Sequence, residues 1–327
     1  MLTRTNNFLE IKNKVTAIKQ TENSYLVKNM NSAKRRNLLD VAKYSGYGLS
    51  AAGVRLGFPA SFVGKYGLKH PDGAKKILTD CYEDFFEKLS SSERQDDKVD
   101  GRKSTALFVR DFDDVHCGIL TDKYSVFDDD EVVDILSKNK YLMNAEEFWY
   151  NVSPERFHAR FVSSNKLSVD GDPSPLSMAV FVDNSMCGAS SFRIRFGIYR
   201  WACTNGMISG LKEFEIAKEM HKGEKDYVTI VAKALENAET YEALLLDMVE
   251  NAIATKSAIY ELTEDQAMAY IQKKLNVGKK ASEQILENYY SYGGESKWHL
   301  VNAITDYAHM DNLDTRIQLE EKAFKVA

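Results

Sequence analysis

Proline and cysteine are scarce in this chain of 327 residues, which holds five of the first and four of the second. The cysteines, Cys81, Cys117, Cys187 and Cys203, form no C-x-x-C pair, which argues against a zinc ribbon or a dithiol redox motif. They read as reduced, mostly buried thiols. No apolar run approaches the ~20 residues a membrane span requires, and the opening MLTRTNNFLEIKNKV lacks the apolar stretch of a signal peptide. A cytoplasmic protein without membrane contact is expected. Enzyme signatures are missing too: there is no G-x-x-x-x-G-K-[ST] loop, no H-E-x-x-H, no G-x-S-x-G and no dinucleotide fingerprint. The reading therefore leans away from an enzyme, with no metal and no cofactor expected, and takes Gly46-Tyr47-Gly48 as a turn.

What remains is ordinary globular composition, 44% hydrophobic and 28% charged. The formal net charge of -5 is unevenly spread. Residues 1–40 carry eight Lys/Arg against three Asp/Glu, whereas residues 213–327 carry thirteen against twenty-one. Three regions follow: an N-terminal arm and helical region over 1–104, a mainly β core with basic strands over 105–212, and a helical region over 213–327. Strands gathered centrally with helices after them predict an α+β fold with an antiparallel sheet, N-terminal helices and a helical C-terminal region.

Along the chain, residues 8–28 suit an extended arm or hairpin as well as a helix. Helices are expected over 30–44, in two short pieces across 50–65, and over 72–89, with a polar loop at 90–103. Thr105–Phe112 and Val115–Leu120 form a hairpin through Asp113-Asp114. Asp129 or Asp130 caps a helix through Leu136. After strands at Arg156–Val162, Leu176–Val182 and Phe192–Tyr199, helices are read at 213–221, 227–255, 263–275, 280–292 and 297–310. Thr263 and Gln266 make a capping box, and Gly278 and Gly293-Gly294 are stops.

The stretch Asn184–Lys212 has four basic residues and no acid. A period of two puts Arg193, Arg195 and Tyr199 on one face of a strand and Phe192, Ile194, Phe196 and Ile198 on the other. Arg156, His158 and Arg160 repeat the pattern against Phe157, Ala159 and Phe161. If like faces align in one sheet, these side chains with Arg200 make a cationic surface for a nucleic-acid backbone, Tyr199, Tyr124 and Tyr141 offering stacking faces. The alternative is that the arginines pair with acids of the C-terminal helices. His158 with Asp122 or Asp183 is a candidate general-base pair. Asn205-Gly206 signals a turn that ends or reverses the strand.

RWACTNGMISG, which holds Cys203, Thr204, Asn205, Gly206 and Met207, resembles the R-x-x-C-T-N-G-M signature of the family called domain of unknown function 932, whose members are described as phage/plasmid-like proteins. Leu56–Phe62, Leu120–Ser125, Asn184–Gly188 and Trp298–Thr305 are similar to further segments of that family in the same order. The likeness covers roughly residues 50–309. It implies a mobile-element setting without implying an activity. The expectation is a nucleic-acid-binding protein favouring single-stranded DNA, acting in recombination, annealing or DNA protection and open to self-assembly. The alternatives are a counter-defence factor that binds a host or phage protein, and a metal-dependent phosphodiester enzyme in which Asp111, Asp113, Asp122 or Asp128 converge.

Overall fold

The computed structural model describes residues 2–28, 38, 43–55, 73, 76, 106–121, 123–202, 205–208, 214–236, 238–309 and 312–327. The helices expected over 30–44 and 72–89, the second piece of 50–65 and the polar loop at 90–103 lie almost wholly outside them.

Eleven strands build two antiparallel sheets among the described residues. The larger runs β1 (Thr3–Thr5), β5 (Glu147–Ser153), β6 (Arg156–Val162), β8 (Asp172–Asn184), β9 (Phe192–Arg200) and β10 (Asn205–Ile208). β8 is long enough to take β6 along one half of an edge and β7 (Leu167–Val169) along the other. β9 does the same with β10 and β11 (Glu215–Glu219). The smaller sheet is β2 (Tyr25–Lys28), β3 (Ala106–Phe112) and β4 (Val115–Thr121). Its β3–β4 hairpin turns on Asp113 and Asp114, whose φ angles of 53° and 58° are those of a tight turn that matches strand twist.

Ten helices complete the described chain: α1 (Phe8–Lys19), α2 (Gly46–Arg55), α3 (Asp129–Leu136), α4 (Lys140–Met143), α5 (Tyr227–Leu235), α6 (Ala238–Ala254), α7 (Glu264–Leu275), α8 (Lys279–Ser291), α9 (Lys297–Ala308) and α10 (Leu313–Val326). One face of the large sheet, with Phe157, Ala159, Phe161, Val180, Val182, Ile194, Phe196 and Ile198, is buried in a single core with residues of α1, α3 and α5–α10. The fold is α+β with a large antiparallel sheet, as the order of elements predicts.

Several local expectations change. Residues 8–19 are helical: Asn7 caps α1 by accepting from the Leu9 amide, and Ile11 and Val15 are buried. Residues 215–219, read as helix, are strand β11 on β9; pairing to an open edge overrides the helix preference of EIAKE. The chain does reverse after β9, but Asn205-Gly206 opens β10, opposite Arg200 and Tyr199, and is not the turn itself. Gly46-Tyr47-Gly48 is the first turn of α2, and a Cβ on Gly48 would fall on the His116 carbonyl oxygen, so glycine lets this helix lie against β4. The Thr263 capping box forms as expected. Asn276 in the left-handed region, and not Gly278, ends α7, while Gly278 is the N-cap of α8. α10 and β5 are elements the sequence reading does not contain.

Candidate functional site

The strand alternation places the candidate side chains as expected, with Arg156, His158 and Arg160 on one face of β6 and Arg193, Arg195 and Tyr199 on the matching face of β9. β8 lies between them. That face is not open. α10 crosses it, packing Ile317 against Val162, Phe181 and Tyr199, and turns acids onto the arginines. Glu320, fully buried, takes Arg160 at 2.7 Å and Arg316 at 2.9 Å. Glu321 pairs with Arg195 and reaches Arg193 at 3.7 Å, and Asp314 pairs with Arg156.

Inside this layer His158 is fixed by both ring nitrogens. Nδ1 lies 2.7 Å from Asp183 and Nε2 accepts from Arg160 Nε at 3.1 Å, which defines a neutral ring with the proton on Nδ1. Burial also lowers its pKa. The anticipated His158–Asp183 pair therefore exists, but no ring nitrogen is left to take a proton from a substrate. Burial would raise the Asp183 pKa, yet Arg195 and His158 hold it far below the ordinary carboxylate range. Burial pushes Arg160 down to about 10.

The other candidates are also engaged. Tyr199 is buried and donates to Glu147 at 3.2 Å, with its ring against Trp149 and Trp201. Arg200 makes a two-pronged contact with Asp172 at 2.7 and 2.8 Å, and Asp172 accepts from Trp298 as well. Only Arg156 and Arg193 keep substantial side-chain exposure, 31% and 25%. Cys203 and Thr204 lie outside the described residues, and Asn205, Gly206 and Met207 belong to β10.

The acids weighed for a metal are dispersed. Asp111 faces His116 at 2.8 Å, Asp113 sits in the hairpin turn and Asp128 takes Arg110 at 2.8 Å and Lys19. Asp122 lies outside the described residues. Among the described residues no group of three or more His, Cys, Asp or Glu is placed to hold a metal ion.

A different place collects exposed cations. The end of β4 and the turn after it, the β8–β9 loop and the end of β11 line an open cavity of ≈ 370 Å³. Lys123, Lys218 and Lys222 line it, with Ser190, Ser191, Tyr124 and His221, and no described lining residue is acidic. All three lysines are exposed. Lys218 has a loose contact with Glu215 at 3.4 Å. His221 is buried, its ring stacked on Tyr124 with centroids 5.1 Å apart, and neither ring nitrogen has a hydrogen-bond partner. Burial lowers its pKa; the backbone of Ser125 and Ser190 approaches and partly offsets this without reaching hydrogen-bond geometry.

The walls are pinned by their sequence. Ser185 Oγ accepts from the amides of Cys187 and Ala189, Tyr47 donates to the Gly188 carbonyl at 2.8 Å, and Tyr124 donates to the Ser185 carbonyl at 3.0 Å. Gly188 has φ 76°, and a Cβ there would sit 2.7 Å from Leu120, so the loop's close approach needs glycine. Tyr124 bridges to Lys222, and the Ser125 amide donates to the His221 carbonyl. Asn184 anchors the loop's start by donating to Asp129 and the Phe127 carbonyl. Thus Leu120–Ser125 and Asn184–Gly188, two of the segments that carry the family likeness, meet at one cavity. Sequence reasoning singled out both without joining them; Lys123 of one and the loop of the other come together with Lys218 and Lys222 through the β9–β11 pairing, the Tyr124–Lys222 bridge and the Tyr124 contact to Ser185.

No curated protein and no solved structure matches this chain. A family model does, over residues 116–324, which takes in β4, the large sheet from β5 onward, the lysine-lined cavity and nearly all of α10. On that match the chain belongs to the family described as domain of unknown function (DUF932).

Proposed function

We propose that this protein binds nucleic acid and that the lysine-lined cavity, not the arginine-bearing sheet face, is where it grips the phosphate backbone. The observation that carries the reading is the convergence of Lys123, Lys218 and Lys222 on one recess with no acid among its described lining. In a chain of net charge -5, such a cluster is where a polyanion finds a positive field. Ammonium groups on flexible stems neutralise phosphate without reading bases, so weak sequence preference is expected, with single strands favoured because their backbone bends into a recess. Annealing or protection of strands from a phage, plasmid or other mobile element is the setting this reading suits.

Binding of a labelled single strand, followed by anisotropy across a salt series, tests it. Each phosphate neutralised on a single strand contributes a slope of about -0.7 in log affinity against log salt, so three lysines give about -2. Lys123→Ala with Lys222→Ala flattens the slope to about -0.7. Absence of binding at low ionic strength, or a slope untouched by the double substitution, rules the site out.

A further inference from the structure

The cavity has a floor as well as a rim, and the floor says what part of a strand enters. The lysines stand exposed at the mouth, while His221 and Leu120 below them are buried. The two His221 ring nitrogens are shielded from solvent and unpaired. A buried polar atom without a partner costs on the order of 1–3 kcal/mol, which an occupant with the right hydrogen-bonding atoms recovers once a small turn of the ring presents a nitrogen to it. The hydroxyls of Ser190 and Ser191 add donors at the same opening.

Resting on the reading above, we propose that the cavity receives the terminal phosphomonoester of a nucleic-acid strand, with the three lysines around its charge and a His221 ring nitrogen donating to one of its oxygens. A strand passing through would leave one diester in the recess, with a single charge and two free oxygens. A terminal monoester carries a charge of about -1.5 to -2 and three acceptor oxygens. Three ammonium groups, two hydroxyls and a ring N–H match the second far better. The recess is open to solvent, and ≈ 370 Å³ leaves room for the terminal nucleotide. The Tyr124 ring, stacked on His221 with 27° between the ring planes, backs the imidazole.

The experiment compares strands of one sequence that carry a phosphate at one end, at the other end, or at neither, all binding the full chain at low ionic strength. At least one phosphorylated strand is expected to bind about tenfold tighter than the hydroxyl-ended strand, a difference of about 1.4 kcal/mol. Lys123→Ala with Lys222→Ala is expected to abolish that difference, as is His221→Phe, which keeps a stacking ring and removes both nitrogens. Because the lysines are exposed, their double variant should keep the parent's melting temperature, so a folding failure of His221→Phe leaves the lysine arm decisive. Equal binding of all strands overturns the terminal-phosphate assignment while leaving nucleic-acid binding in place. No binding by any strand overturns both. A free deoxynucleoside monophosphate or inorganic phosphate that competes as tightly as the phosphorylated strand overturns it in favour of a small-molecule site.

Discussion

Asp129 is a residue whose charge the fold strongly suppresses. It is fully buried at the start of α3; one carboxyl oxygen accepts from Asn184 at 2.8 Å and the other has no partner. Burial, with Asp128 and Asp130 beside it, pushes its pKa from 3.8 up to about 8. The sequence reading has Asp129 or Asp130 as a cap, but Asp128 is the N-cap residue and gives its carboxylate to Arg110 and Lys19. A carboxyl that holds its proton more tightly folded than unfolded contributes its full stability below the unfolded pKa. That contribution is lost as pH rises through the window from about 4 to about 8. Asp129→Asn supplies an amide where the protonated acid stood and has nothing to titrate. Chemical denaturation at about pH 5 and about pH 9 should show the variant gaining on the parent at the alkaline end by upwards of about 1.4 kcal/mol, the worth of one pK unit. Parallel pH profiles for the two proteins would contradict this protonation state.

At the scale of elements, α10 decides what the arginine-bearing strands do. Its sequence, LDTRIQLEEKAFKV, hides an inner face because Arg316 and Glu320 are as buried as Ile317 and Ala323. Hydrophobic periodicity is blurred in a helix whose concealed side mixes Arg316 and Glu320 with Ile317, Leu319, Ala323 and Phe324, and the sequence reading ends its last helix at Met310. The same blindness left the cationic strand faces without a visible cover, although pairing with C-terminal acids was one of the two readings open. A buried carboxylate between two guanidinium groups is costly to remove, since both are left unneutralised away from water. Glu320→Ala should destabilise the protein by about 3–5 kcal/mol in denaturant titration. A loss under about 1 kcal/mol, the worth of an exposed pair, would mean that α10 does not brace the sheet. Elements whose sequences carry a regular apolar period or a clear turn signal were legible, among them β6, β9, the β3–β4 hairpin and α7–α9. β11 was not, because its strand conformation comes from an edge that exists only after β9 is placed.

Across the whole molecule, part of the opposed charge of the two ends is consumed by the fold itself among the described residues. Arg4 pairs with Glu147, Lys12 with Asp134 at 2.7 Å, and Lys19 with Glu22 and Asp128, so these three basic front residues are tied to acids of the middle. The acids of α10 are spent in turn on the central strands. A charge count along the chain therefore says little about the surface, whereas the cavity lysines, drawn from segments each unremarkable alone, keep theirs. The candidate site was legible only as separate pieces, because neither β11 nor the path of the β8–β9 loop can be read from local spacing.

β1 gives the large sheet an order in time as well as in space. Its three residues pair with Phe148–Tyr150 of β5, and Arg4 meets Glu147 from 143 residues away in the chain. Closing so long a loop is entropically expensive, while β8 and β9, joined by a short connection, can zip locally. The strand earliest in sequence is thus a latecomer to folding and, held by one neighbour alone, the first to let go. Amide hydrogen exchange should find residues 3–5 opening at far lower free energy than the β8–β9 pair, which exchanges only when the whole sheet comes apart.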